Sequence, residues 1–588
     1  MMKRFLSLAA LAFLLLSACS PAPKTVTFEV LLTNDVHGRW FDADYVNGGV
    51  KKNSLLAVNT CVDSVRAAAG KEHVLLIDAG DCLQGDNAAY YFNYVDTTSV
   101  HLFTRLATYM GYDAVVVGNH DIETGHPVYD RVRRELEESG IPFLAGNAVR
   151  ESTRKPYFTP YKIIEREGYR IAVLGYTNAN IKGWLDERIW KGMDFESLVP
   201  LVQKDVDRIH KTEKPDIVIV AVHSGTGDGD ASMAESQGLD LYNSLTGVDL
   251  LLCSHDHRPA VIQDRKDFCL INSGSHARNL GHGTITLTLN DDGSIRSKSV
   301  SAELIPIHAD KADPIMRETF QQDFETVKAF SLREVGELTE ELRTRDAYTG
   351  PCLYTSYIHL VTLLAAKDAG AEISFAAPLT FNGTIQPGAL VYNDLFTIYP
   401  FENQLFVLRM SGKEIKNYLE YDYDQWIQRS PGEQDPLLRI EQKEDSRTGS
   451  NRWSFVNRSY NFDSAAGLRY TVNTKASAGS RIKIIGLAGG KPFLPNKTYR
   501  VAMTSYRANG GGDLLVKGAG IPAEELESRV EARLPEIREL IYQFLTNVQS
   551  EISPEVIDEY EDLLGHWAFI PEAEAAKKLD RDMERLFN

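Results

Sequence analysis

The sequence is poor in cysteine, with six in 588 residues, none of them in a CxxC pair. A disulfide framework is therefore excluded, and a chain of this length needs none to bury a core. It also lacks a surplus of positive charge: 63 Lys and Arg stand against 81 Asp and Glu, a net charge of −18. That balance excludes a broad electropositive surface for duplex nucleic acid. Gly (43) and Pro (23) are near average usage, so collagen-like and low-complexity chains are excluded. No internal repeat is evident, and no run after the amino terminus reaches the length of a membrane span, which takes about 20 apolar residues. What remains is globular composition, 43% hydrophobic and 24% charged, long enough for two large domains or several ordinary ones.

The amino terminus has the layout of a secretory signal. Lys3 and Arg4 precede an apolar run from Phe5 to Leu16, followed by Ser17-Ala18-Cys19 and a Pro-containing tether. Small residues before a cysteine form a bacterial lipobox pattern, so 1–19 reads as a lipoprotein signal peptide and Cys19 as the acylated residue. The mature body is then soluble and held by acyl chains at the cell envelope. Of the other cysteines, Cys253 and Cys269 are a weak candidate pair, and Cys82 reads as a small buried side chain.

From Lys24 to about Ile305, short β-branched runs alternate with helical stretches. Each run ends in residues that can hold a metal. Val26–Leu32 leads into Asp35 and His37, and Val74–Ile77 into Asp81. Ala114–Val117 leads into Asn119, His120 and Asp121, Ile217–Val222 into His223, and Val248–Leu252 into His255 and His257. Apolar runs of this kind read as strands buried on both faces, whose carboxyl-terminal loops converge on one edge. Carboxylate and imidazole suit Mn, Fe, Zn and related divalent ions. A single His is most often structural, but five strand ends delivering such residues to one rim point to a metal centre. Two ions about 3.5–4 Å apart would bind a phosphoryl group and activate water for in-line attack on phosphorus.

Asp35-x-His37, Gly80-Asp81-x-x-Gln84-Gly85, Gly118-Asn119-His120-Asp121, His223-Ser224-Gly225 and His255-x-His257 together resemble the calcineurin-like metallophosphoesterases. Within these they are similar to the secreted 5′-nucleotidase and 2′,3′-cyclic nucleotide phosphodiesterase family. The resemblance implies an α/β fold: a four-layer metallophosphoesterase sandwich and a second α/β domain of 5′-nucleotidase type. It implies two divalent ions (Mn, Zn, Co or similar), one on Asp35, His37, Asp81 and His257, the other on Asp81, Asn119, His223 and His255. His120 is then the catalytic histidine. Its orienting carboxylate is Asp121 or Glu123, the latter standing where family members often carry Asp.

Past Ile305 the pattern changes. Residues 306–334 read as a linker with a helix, 335–550 as a second α/β domain, and 551–588 as a helical extension in which Trp567, Phe569 and Pro571 have no assigned role. In the second domain the resemblance implies a base sandwiched by Phe401 and Tyr506, with Asn403 on the base or ribose and Asn382 in a loop approaching the substrate. Composition alone favours core packing for both aromatics. Asn382-Gly383-Thr384-Ile385-Gln386 lacks the family's Gly-rich run and its Arg, and Tyr506-Arg507-Ala508 replaces a Phe-containing block. Both departures lean toward the 2′,3′-cyclic phosphodiesterase/3′-nucleotidase branch. The expected reaction is hydrolysis of 2′,3′-cyclic nucleotides and nucleoside monophosphates to nucleoside and phosphate. A 5′-nucleotidase or UDP-sugar hydrolase, and a non-catalytic nucleotide-binding lipoprotein, are the alternatives.

Overall fold

The structure is a computed structural model that describes residues 24–230, 233–429, 432–444 and 451–587. Cys19 and the rest of the expected signal lie outside the described residues. Among those described, no helix is long and apolar enough to cross a membrane.

Twelve strands of the first half build two six-stranded sheets. They are β1 (Thr25–Thr33), β2 (Val74–Asp78), β3 (Ala114–Val116), β4 (Phe143–Leu144), β5 (Tyr161–Arg166), β6 (Tyr169–Tyr176), β7 (Ile217–Val222), β8 (Leu250–Cys253), β9 (Ala260–Ile262), β10 (Cys269–Asn272), β11 (Asn279–Leu289) and β12 (Ile295–Pro306). One sheet has the order β12-β11-β1-β2-β3-β4, the other β9-β10-β8-β7-β6-β5. Every residue of β2, β7 and β8 is buried, which is why these strands read as unbroken apolar runs.

The two sheets face each other through a shared core. Phe28, Val30, Leu75 and Ile77 of one meet Ile171, Val173, Ile217, Ile219 and Leu250 of the other. Helices close both outer faces. Leu55–Ala69, Leu102–Met110 and His126–Glu138 cover the first sheet, and Leu198–Thr212 and Gly238–Ser244 the second. The result is the four-layer α/β/β/α sandwich. β1 runs parallel to β2, with Thr33 opposite Asp78, and β6 parallel to β7, with Tyr176 opposite Val222. Strand carboxyl ends from both sheets thus reach a common rim.

Residues 306–334 form two helices, Pro314–Thr319 and Gln321–Ser331. Met316, Phe320 and Val327 are buried in the outer core of the first half. Asn59 Nδ2 donates to Asp313 Oδ2 at 2.7 Å, fixing the start of the first helix.

The second half holds a five-stranded sheet and two three-stranded ones, one of which joins Gly388–Val391, Glu334–Leu338 and Glu551–Ile552; the strands of the other two sheets are numbered on from the first half. They are β13 (Ile373–Ala376), β14 (Gln404–Ser411), β15 (Ser464–Ala466), β16 (Leu468–Asn473), β17 (Ile482–Leu487), β18 (Thr498–Thr504), β19 (Val530–Glu536) and β20 (Gly565–Ile570), in the orders β15-β13-β18-β14-β19 and β17-β16-β20. The helix Gly412–Trp426 starts in a capping box of Ser411 and Glu414.

Two expectations are corrected here. The helical extension over 551–588 is interrupted by β20, which pairs in parallel with β16. Trp567 and Phe569 are buried there against Tyr423, Trp426 and Tyr470, so these aromatics are core residues that fasten the carboxyl terminus to the second half. Cys253 and Cys269 are both free. They lie on neighbouring strands but out of register, with Leu250 opposite Cys269 and Cys253 opposite Asn272.

Candidate active site

The five strand-end loops meet. Asp35, His37 and His257 place ligand atoms within 4.8 Å of one another, and so do Asp81, His223 and His255. Asn119 completes the second group: its Oδ1 is 3.0 Å from His223 Nε2 and 2.9 Å from His255 Nδ1. The backbone is bent to achieve this. Asp35, His37, Asp81, His255 and His257 all have positive φ, between 48° and 70°. Non-glycine residues in that region carry strain, and strain of this kind collects at functional sites. Gly80 and Gly118 let the loops touch. A Cβ on Gly118 would sit 2.1 Å from Asp81 Oδ1, and one on Gly80 would sit 2.7 Å from His223 Nδ1.

These residues fit a pair of divalent cations. His223 Nδ1 is tied to the Ala79 carbonyl oxygen at 2.8 Å, so that nitrogen carries the proton and Nε2 is left for a metal. Asp81 Oδ2 lies 3.1 Å from that Nε2 and is buried without a hydrogen-bond donor. The Nε2 atoms of His37 and His257 face each other at 3.0 Å. Burial holds His37 well below the usual imidazole range and lowers His255 to about 3. These rings are neutral bases with lone pairs to give. Burial raises Asp35 to about 8, against the His223 charge, which marks a carboxylate in want of positive charge. Asp35 also accepts from Asn34 Nδ2 at 2.6 Å and from the His255 N–H at 2.9 Å, and Gln84 Oε1 lies 3.1 Å from His37 Nδ1.

His120 stands beside the ligands. Burial pushes its imidazole down, but the charges of Glu123 and Asp81 overcome this and hold it up at about 10. Glu123 is the carboxylate paired with it, its Oε2 2.5 Å from His120 Nδ1. Asp121 has a different task. It accepts the N–H groups of Asp81 (3.0 Å), Cys82 (2.9 Å), Leu83 (2.9 Å) and Gly118 (2.7 Å), binding the loops after β2 and β3 together.

Above the site lies a cavity of about 500 Å³ walled by both halves. Asp81, Asn119, His120, His255 and His257 line it together with Phe401, Asn403 and Tyr506. Asn382 does not belong to it. It is exposed, and its neighbours turn away from the cleft: Thr380 Oγ1 donates to the Thr397 carbonyl, and Phe381 packs against Phe587. Sequence reasoning missed Trp184, whose ring stacks on His255 at 5.2 Å and lines the cavity. Its loop bridges the halves. The Trp184 carbonyl accepts from Asn509 Nδ2 at 3.2 Å, and Asp186 pairs with Arg533 at 2.8 Å.

Comparison with known proteins agrees with this arrangement. The pattern of the 5′-nucleotidase C-terminal domain matches residues 334–517, and that of the bacterial capsule synthesis protein PGA_cap matches residues 44–268. The chain is 25% identical to protein UshA of Yersinia enterocolitica over 87% of its length and 92% of the relative's. It is 24% identical to the 2′,3′-cyclic-nucleotide 2′-phosphodiesterase/3′-nucleotidase of Salmonella typhimurium, covering 84% and 83% of the two chains. The crystal structure of a putative 5′-nucleotidase from Staphylococcus aureus superposes with a TM-score of 0.75 at 20% identity, over 92% of this chain and all of that one. The chain carries a 5′-nucleotidase C-terminal domain, has relatives named UshA and 2′,3′-cyclic-nucleotide 2′-phosphodiesterase/3′-nucleotidase, and shares its fold with 5′-nucleotidases of the calcineurin-like phosphoesterase fold. These relatives are named as nucleotidases and cyclic-nucleotide phosphodiesterases, which are hydrolytic phosphoesterases, and the two ligand clusters of this chain fit a dinuclear phosphoesterase.

Proposed function

We propose that the protein hydrolyses 2′,3′-cyclic nucleotides and nucleoside monophosphates to nucleoside and phosphate, using two divalent ions. Asp35, His37, Asp81 and His257 hold one ion; Asp81, Asn119, His223 and His255 hold the other. The observation that carries this reading is the shared cavity. Asp81, His255 and His257, drawn from the two ligand triads, line it together with an aromatic pair of nucleobase size, Phe401 and Tyr506. The names of two relatives, each a 2′,3′-cyclic-nucleotide 2′-phosphodiesterase/3′-nucleotidase, support the substrate class.

The ions would bind phosphoryl oxygens and lower the pKa of water. The chain's own residues do the rest. Phe401 and Tyr506 stack on the base, and Asn403 is placed to bond its edge or the ribose. Glu123 holds His120 by Nδ1, leaving Nε2 for the substrate. As the water oxygen bonds to phosphorus and the ribose C–O–P ester opens at its P–O bond, the departing ribose oxygen takes a proton from His120 Nε2. A cyclic substrate passes through this sequence twice, first to a monoester and then to nucleoside and phosphate.

Lys3, Arg4, the run Phe5–Leu16 and Cys19 support an acyl anchor at the cell envelope. Incorporation of labelled palmitate, lost in Cys19→Ala, is the expected result. The test of the activity is phosphate release from 2′,3′-cAMP, 3′-AMP, 5′-AMP and UDP-glucose with Mn, Zn, Co and Mg. Turnover of the first two, abolished by EDTA, is expected. Activity confined to 5′-AMP or UDP-glucose would move the protein to the 5′-nucleotidase branch, and EDTA-insensitive turnover would end the reading.

A further inference from the structure

The cavity wall is acidic. Asp81, Glu123, Asp186, Glu235, Asp256 and Glu402 all line it, yet a phosphoester brings one or two negative charges of its own. Besides the imidazoles, two cationic side chains line the cavity, Arg507 and Arg458.

Arg507 is fully committed. Its Nε donates to Asp463 Oδ2 at 3.0 Å. Nη2 donates to Asp463 Oδ1 at 2.9 Å and the Tyr460 carbonyl at 3.1 Å. Nη1 donates to Asn461 Oδ1 and the Gly511 carbonyl, both at 2.9 Å. All five N–H donors are used, so this side chain is a buried clamp. It locks the segment around Tyr460 to the glycine loop and so fixes its neighbour Tyr506.

Arg458 is the reverse case. Its guanidinium lies 5.7 Å from the Tyr460 ring centroid and hydrogen-bonds the Tyr460 side chain, and its charge acts on Glu235 across the cavity, but among the described residues no carboxylate forms an ion pair with it. Tyr506, raised by burial to about 12, is drawn back by Arg507 and Arg458. Arg458 lines the same cavity as His257 and Tyr506, so its side chain can reach a phosphate held there in the reading above. The segment 382–386, which lacks the family's Arg, does not supply this charge.

We propose that Arg458 is a specificity-determining residue that binds the phosphoryl oxygens of a phosphomonoester and favours the dianionic monoester over the monoanionic cyclic diester. The inference rests on the nucleotide reading proposed above. A guanidinium offers two parallel donors to a phosphate edge, and its attraction to a group of charge −2 is twice that to one of charge −1 at equal distance. Arg458 then acts mainly on the second hydrolysis and governs how far the monoester accumulates.

The test compares metal-loaded wild type with Arg458→Gln and Arg458→Lys on 2′,3′-cAMP and 3′-AMP, with inorganic phosphate as inhibitor. Charged hydrogen bonds are worth about 1.5–3 kcal/mol. In Arg458→Gln, kcat/KM for 3′-AMP is expected to fall about tenfold or more, with a smaller loss on 2′,3′-cAMP. Phosphate inhibition weakens in parallel, metal content stays unchanged, and Arg458→Lys retains part of the preference. Equal losses on both substrates, or none on 3′-AMP, overturn the inference. Should wild type turn over neither nucleotide, the functional reading fails first. Calorimetric binding of inorganic phosphate to the metal-loaded protein then judges Arg458 alone, and an unchanged affinity in Arg458→Gln overturns its role.

Discussion

His120 and Glu123 meet across one turn of the short helix Asn119–Glu123, while Asp121 between them faces away and gathers backbone N–H groups of the neighbouring loops. One turn of helix therefore serves two purposes: Asn119 and His120 present chemistry to the cavity, and Asp121 holds the turn in place. The i, i+3 spacing puts Glu123 under His120.

Glu123→Gln separates orientation from charge. The amide keeps a hydrogen-bond acceptor for His120 Nδ1 but removes the negative charge that opposes burial in setting the imidazole at about 10. The protonated ring is the working acid, so activity fails as pH rises through its pKa. Neutralising Glu123 lowers that pKa and must move the basic limb of the kcat profile to lower pH. Loss of about 10–100-fold in kcat at neutral pH is expected, within the usual range for acid–base groups. A basic limb that does not move would detach Glu123 from the proton transfer.

Asp121→Asn should act through metal binding rather than through His120. An amide offers one acceptor oxygen in place of two and brings donors that face the N–H groups of Asp81, Cys82, Leu83 and Gly118. Each buried bond lost to a charged acceptor costs about 1.5–3 kcal/mol. Groups that support metal ligands cost about 10–100-fold in metal affinity when changed. Equilibrium dialysis is expected to show that loss together with a lower Tm. Excess metal should restore turnover with an unshifted pH profile, which distinguishes this variant from Glu123→Gln.

Phe401→Ala and Tyr506→Ala should raise KM for nucleotides and leave hydrolysis of p-nitrophenyl phosphate unchanged. Base–aromatic stacking is worth about 1–3 kcal/mol, so an increase of roughly 5–150-fold is expected for each. A KM that rises equally for p-nitrophenyl phosphate would return both rings to simple packing.

The candidate metal ligands stand out in the sequence because their signal is local and repeated. A strand that is buried on both faces writes itself as an apolar run, and the residue after its end is where an α/β edge does chemistry. Asp35, Asp81, Asn119, His223 and His255 each follow such a run. Trp184 carries no comparable mark. Its stacking on His255 exists only after the two sheets have brought distant loops together. Arg458 and Arg507 differ in function through their partners, not their type, and a partner such as Asp463 is not visible from composition. β20 was misread because GHWAFI is short and set in charged helical sequence. Tertiary packing against Tyr470 and Trp426 decided it. The position of Asn382 failed for a related reason: a motif places a residue in a loop, but bonds elsewhere aim the loop.

Gly118→Ala tests whether the loops can reach the metals without their close approach. Gly118 has an extended φ of −90° that any residue can adopt, so the substitution carries no backbone strain and its effect is steric alone. The added methyl would overlap Asp81 Oδ1 at 2.1 Å and Asp81 N at 2.4 Å, and neither can retreat while Asp121 holds the turn. Asp81 serves both proposed ions, so its displacement should empty the two sites together rather than one. Metal analysis of the purified variant is expected to show loss of both ions, with phosphate release falling in proportion and the fold preserved by circular dichroism. Retention of one ion with partial activity would mean that the two sites do not share Asp81, and the bridging role assigned to it would have to be abandoned.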